Sequence, residues 1–177
     1  MIDGQESRPL PSAIERLAAS GPFARDRDEL MLYGRLIGAW DIDWAAFDED
    51  GKAAERRFGE WHFAWVLGGR GVQDVIWTAG APAEEDGTTL RCWDAQLGAW
   101  RVVFMSPGDG QFVTLVGRAE GDRIVQEIID RPPDAPAERW TFSEITDAGF
   151  LWQAETSSAG GRTWAVTHEM RASRRLT

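Results

Sequence analysis

From Ile37 onward, large apolar residues fall on alternate positions, in short runs broken by turns rich in glycine, aspartate or proline. Alternation of that kind is the spacing of a half-buried strand. Between Ile37 and Phe47, Trp40, Ile42, Trp44 and Ala46 alternate with Asp41 and Asp43. Further strands are expected over Arg56 to Leu67, Val72 to Thr78, Thr88 to Asp94, Trp100 to Met105, Phe112 to Ala119, Ile124 to Ile129, Arg139 to Ile145, Phe150 to Thr156 and Thr163 to Ala172. The connections carry hairpin residues such as Asp48-Glu49-Asp50-Gly51, Gly68-Gly69-Arg70-Gly71 and Gln96-Leu97-Gly98, where glycine supplies positive φ. The longest loop holds Pro132, Pro133 and Pro136. About ten short strands with tight turns predict an all-β, antiparallel, up-and-down barrel, because closure leaves no exposed edge.

The first 36 residues follow another rhythm. Residues 1–10 are polar and read as a disordered N-terminus. Helical spacing then recurs twice in a lead-in over residues 11–36. One piece begins at Pro11 with Ile14, Leu17 and Ala18 on one face; a second, capped by Asp26 or Asp28, carries Leu30, Met31, Tyr33 and Ile37. One domain over residues 11–177 accommodates everything.

Ten of the 177 residues are tryptophan, against one tyrosine, Tyr33. So many large rings distributed over the strands predict an aromatic-lined interior, a stacking cavity for a small organic molecule. Trp44, Trp61, Trp65, Trp77, Trp100 and Trp152 are the expected ligand-stacking residues. On the first strand the tryptophan face turns inward, since Asp41 and Asp43 unpaired inside would be costly. The second strand allows two registers: Trp61, Phe63 and Trp65 inward, or Glu60 and His62 inward. Several strands are apolar on both faces, Val103 and Met105 opposing Trp100, Val102 and Phe104 for example. That excess predicts cover by the N-terminal helices or by a second copy in a homodimer.

The net charge of −10 opposes nucleic-acid binding, which needs clustered Lys and Arg. No apolar run approaches the ~18 residues of a membrane span, and the opening Met1 to Glu6 lacks a secretory pattern, so no membrane partner and a cytoplasmic location are expected. Cys92 is the single cysteine and the histidines are His62 and His168; a structural metal site is not expected. Asp48-Glu49-Asp50 and Glu84-Glu85-Asp86 read as solvated turns.

Polar residues inside strands are the candidates for chemistry. Gln73, Arg91, Arg101 and Gln126 are expected to orient a ligand; Arg91 and Arg101, on strands joined by a hairpin, form either an anion clamp or two solvated arginines. His62 and Asp74, on adjacent strands, permit an oriented acid–base pair, with Glu127 as a further proton-transfer group. No nucleophile elbow, phosphate loop or dinucleotide fingerprint is present.

Gly38-Ala39-Trp40 resembles the G-x-W signature of lipocalins and related calycin barrels. The resemblance implies a tryptophan packed across the barrel floor under an arginine from the last strand, a role falling to Arg171 with Arg174 as the other possibility. Over Gly34 to Arg175, most distinctively in Gly59 to Leu67 and Gln73 to Trp77, the chain resembles a bacterial lipocalin-like family of uncharacterised function. Haem-binding calycins of the nitrobindin type use a late histidine, which would be His168 here. Ser157 to Trp164 resembles a sialidase Asp-box with Ala159 in place of its aspartate, and reads as a hairpin turn. Three functions are therefore carried forward: a carrier of a hydrophobic, aromatic or polyene-like ligand without a cofactor; a cofactor-free cyclase or isomerase of natural-product type; and a haem protein through His168.

Overall fold

The computed structural model describes residues 12–48, 50–80, 86–108, 110–158 and 160–175. The expectation for residues 1–10, and those touching Glu49, Glu84, Glu85 and Ala159, lie outside this set. Ten antiparallel strands close into a barrel: β1 (Gly38–Phe47), β2 (Ala53–Val66), β3 (Gly71–Thr78), β4 (Gly87–Asp94), β5 (Ala99–Ser106), β6 (Gln111–Glu120), β7 (Arg123–Ile128), β8 (Ala137–Ser143), β9 (Gly149–Ser157) and β10 (Ala165–Arg174). Each strand bonds to its neighbours in the chain, and β10 bonds back to β1 from Trp40↔Arg174 to Ala46↔His168. Period-two patterning thus resolves into one continuous ladder with an inside and an outside.

The barrel has two unlike ends. At the end where β1 begins, helix α1 (Ala13–Leu17) and helix α2 (Arg27–Gly34) precede the sheet. The lead-in is stitched to the rim: the N–H of Ala19 donates to the Trp65 carbonyl and that of Phe23 to the Gly69 carbonyl, both at 3.0 Å. Leu30 and Tyr33 of α2, followed by Leu36, are fully buried against the strands. We call this end the floor and the other the mouth. The helices therefore plug the floor and leave the outer wall uncovered. Phe112 remains 63 % exposed, with Val75 and Val103 also exposed on that wall. Ile14, on the apolar face of α1, is exposed as well.

The floor is aromatic. Trp40 donates its Nε1–H to the Leu36 carbonyl at 2.8 Å, and Phe150 meets it edge-on at 4.8 Å. The guanidinium of Arg174 lies 3.7 Å from the Trp40 ring centroid and donates to the Ile37 carbonyl at 2.7 Å. Gly38 has φ +132°, and a Cβ there would collide with that guanidinium, which explains the glycine two residues before Trp40. The arginine over the tryptophan is thus Arg174. Arg171 pairs in register with Asp43 on the outer face and engages Glu169 and Glu144. The reason is parity: Arg174 shares the inward face of Trp40, whereas Arg171, three residues earlier, must point outward.

Chemical denaturation should grade these roles. Trp40→Ala is expected to cost about 3–5 kcal/mol and Arg174→Ala about 1–2 kcal/mol, the loss of a ring contact and a hydrogen bond. Arg171→Ala should stay within about 0.5 kcal/mol of the parent protein.

Candidate ligand site

Midway along the barrel, the inward faces of β3, β4 and β7 supply polar residues where the other strands supply rings. Asp74 and Arg91 form an ion pair, each 1 % exposed. The Asp74 carboxylate also accepts from the Thr89 backbone N–H at 3.0 Å. Arg91 Nε donates to the Gln126 side-chain oxygen at 3.3 Å, and the Tyr33 hydroxyl donates to the same oxygen at 3.0 Å. Three rings surround the guanidinium, with Tyr33, Phe63 and Phe142 centroids at 5.3, 5.4 and 5.8 Å. Gly117 makes room: a Cβ there would strike the Tyr33 hydroxyl. Burial pushes the Tyr33 phenol well above its ordinary range, so it serves as a neutral donor.

Above this layer the barrel is hollow. A cavity of about 470 Å³ is lined by Trp44, Trp61, Trp140, Trp152, Phe104, Met170 and apolar residues between them, with Thr89 and Arg91 at its base. Its size lies within the ordinary range for small-molecule sites. Thr78, Thr167, exposed Gln111 and Glu138, and Arg57, which pairs with Glu55 and lies over the Trp44 ring, also border it, so it communicates with the surface at the mouth. The rings form a chain: Trp61 lies 6.2 Å from Trp152, and Trp152 lies 5.7 Å from Trp140.

The expected residues divide by parity. Trp61, Phe63 and Trp65 face inward, which resolves the second strand. Trp44, Trp61 and Trp152 line the hollow, while Trp65 and Trp100 are buried outside the lining set. Trp65 packs under Gly34 of α2, and Trp100 meets Tyr33 at 4.7 Å. Trp77 borders the mouth, but its ring lies 4.8 Å from His62 on the outer face. Arg91 and Gln126 are inside. Gln73 is outside, pairing with Thr88, and so is Arg101, whose side chain is 65 % exposed and bonds Asp94. No Arg91–Arg101 clamp exists, since Arg91 pairs with Val102 and Arg101 with Cys92.

The His62–Asp74 pair is likewise not formed. His62 pairs with Val75, whereas Asp74 pairs with Phe63, so the two side chains lie on opposite faces. His62 instead meets Glu60 at 2.9 Å, and the Arg175 guanidinium beside Glu60 holds its carboxyl below the usual range, with His62 adding to the effect. Glu127 is exposed and lies 4.0 Å from Arg118. Cys92 is half-buried on the outer face, and burial raises its thiol, which disfavours the thiolate. Among the described residues no cluster of His, Cys, Asp and Glu is placed to hold a metal ion.

Trp140, Phe104 and Met170 were not expected at the site. Trp140 and Phe142 share one face of β8, and that alternation was the available signal. His168 borders the hollow on the same inward face as Met170, two residues on, and just before it, between Val166 and His168, the β9–β10 register shifts by one residue. His168 sits opposite Ala154 on the inward face, and the bulge turns Val166, opposite Glu155, to the outer one, a common device for re-aiming a side chain. The imidazole lies 5.6 Å from Trp44 and its Nδ1 is 3.1 Å from the Thr167 hydroxyl.

Burial holds the His168 imidazole below its ordinary value. The folded protein therefore binds fewer protons here than the unfolded chain, and stability from this group is full above about pH 6.5 and declines as the pH falls through that value. His168→Gln should flatten this part of the dependence. The drop in urea midpoint between about pH 7 and pH 5.5 should be smaller in the variant than in the parent.

No family model and no curated protein sequence matches the chain. Among solved structures it is similar to the crystal structure of Rv2717c from M. tuberculosis, with a TM-score of 0.56 and 17 % identity over 83 % of this chain and 97 % of that one. Among the described residues, no helix is long and apolar enough to cross a membrane. The chain is a closed ten-stranded antiparallel barrel, consistent with a calycin-like fold, whose interior holds a buried aromatic cluster compatible with ligand binding.

Proposed function

We propose that the protein binds a small hydrophobic molecule, aromatic or polyene-like, in the hollow above the Asp74–Arg91 layer. One observation carries this reading: the cavity of about 470 Å³ is walled by Trp44, Trp61, Trp140, Trp152 and Phe104, with Trp77 at its border, and reaches the surface at the mouth. A flat apolar ligand would exchange water for ring faces on several sides, each good aromatic contact contributing ~0.5–1.5 kcal/mol beyond area burial. The closed ladder holds those rings in place before binding, which lowers the ordering cost. Arg91 and Thr89 at the base supply polar contacts that would fix orientation.

The cyclase or isomerase reading has less support, because His62 and Glu127 lie outside the hollow and Asp74 is paired with Arg91. The haem reading keeps one supporting observation, His168 on the lining.

Titration of retinol and 1-aminoanthracene into the purified protein, followed by tryptophan emission, should show saturable quenching. Trp152→Ala and Trp140→Ala should each weaken binding about tenfold, the equivalent of ~1.4 kcal/mol. Trp164→Phe serves as a control, since its indole bonds the Gly161 carbonyl and meets Arg139 away from the hollow. Unresponsive emission would overturn the carrier reading. A Soret band in the protein as purified would replace it with the haem reading.

A further inference from the structure

The base of the hollow indicates what the ligand carries at its inner end. Arg91 brings one positive charge to that base, and Asp74 cancels it within the same layer. A guanidinium has five N–H donors in a planar fork. The bonds drawn from Arg91 engage Asp74 through Nη1 and Gln126 through Nε, which leaves donor capacity beside the cavity that Arg91 lines. A second donor lies on the same lining. Trp61 is 3 % exposed, and its buried Nε1–H has no hydrogen-bond partner. An indole N–H only donates, so the group that satisfies it must be an acceptor. A buried donor left without a partner is destabilising, and a ligand oxygen placed there would satisfy it.

Charge decides which kind of oxygen. A carboxylate at the base would stand against Arg91 and Asp74 together and leave the buried group with one uncompensated negative charge. Burying an unpaired charge is far costlier than burying a hydrogen-bonded neutral group. A ketone, aldehyde or quinone oxygen accepts two hydrogen bonds without adding charge. From these observations we infer that the ligand is a conjugated or aromatic carbonyl compound, bound oxygen-first with its carbonyl directed at Arg91 and Trp61. This inference rests on the hydrophobic-ligand reading above and narrows it to a neutral acceptor, as opposed to a fatty acid or other carboxylate.

Three probes on one scaffold test it: 2-acetylnaphthalene, 2-naphthoate and 2-ethylnaphthalene, titrated at about pH 7.5 with tryptophan quenching and calorimetry as readouts. The ketone should bind at least tenfold tighter than either of the others. Trp61→Phe, which keeps a ring but removes the donor, should weaken the ketone severalfold and leave the hydrocarbon within twofold. Asp74→Asn keeps the shape and uncovers the Arg91 charge, so it should move selectivity at least tenfold toward the naphthoate. Should Asp74→Asn fail to fold, the parent protein and Trp61→Phe still decide the matter. Equal binding of all three probes, or naphthoate binding tightest to the parent, overturns the carbonyl inference while the carrier reading stands. Binding of none overturns both.

Discussion

One guanidinium enclosed in an aromatic barrel sets the terms for the interior. Removing Arg91 from water costs several kcal/mol unless a counter-charge and hydrogen bonds are supplied in the same place. Asp74 from β3 supplies the charge, Gln126 from β7 supplies an acceptor, and Tyr33 from α2 completes the set by bonding Gln126. The charge thereby ties the floor helix to three strands of the wall. It also divides the barrel's length. Below the layer, Trp40, Trp65, Trp100, Phe150 and their neighbours are packed solid; above it lies the hollow.

That division separates stability from recognition. The Arg174–Trp40 contact and the α2 plug are both at the floor, where the β1–β10 seam begins. Ion pairs on the outer wall, such as Arg56–Asp43 and Arg101–Asp94, have exposed partners and contribute little. The rings that face the hollow come from β1, β2, β5, β8 and β9, so no single element owns the site. Substituting one of them changes the shape of the chamber without undoing the floor.

Much of the architecture was legible in the amino-acid pattern. Strand after strand appears within a few residues of its expected place, because alternating apolar residues and glycine turns are strong local signals. Gly38-Ala39-Trp40 also located the floor tryptophan. Local pattern does not state register between strands, and the errors gather there. His62 and Asp74 are on neighbouring strands yet on opposite faces; Arg101 is parted from Arg91, and Arg171 from Trp40, for the same reason. His168 does follow from counting by twos back from Met170, but Val166 does not, since a single extra residue in β10 turns it to the outer face. Tyr33 was visible as a helical apolar residue, but its bond to Gln126 joins residues 93 positions apart and leaves no local trace.

The topology also bears on how the molecule is assembled. All pairings but one join strands that follow each other in the chain, and those hairpins can form by local zipping. The exception is the seam, where Arg174 reaches the carbonyl of a residue 137 positions earlier. Bringing such distant segments together bears the largest loop-closure entropy in the molecule and yields contacts only at the end. Until that happens, the nascent sheet exposes two raw edges and a stripe of indoles to other chains. The kinetic hazard for this protein is therefore concentrated in the interval before its two ends meet.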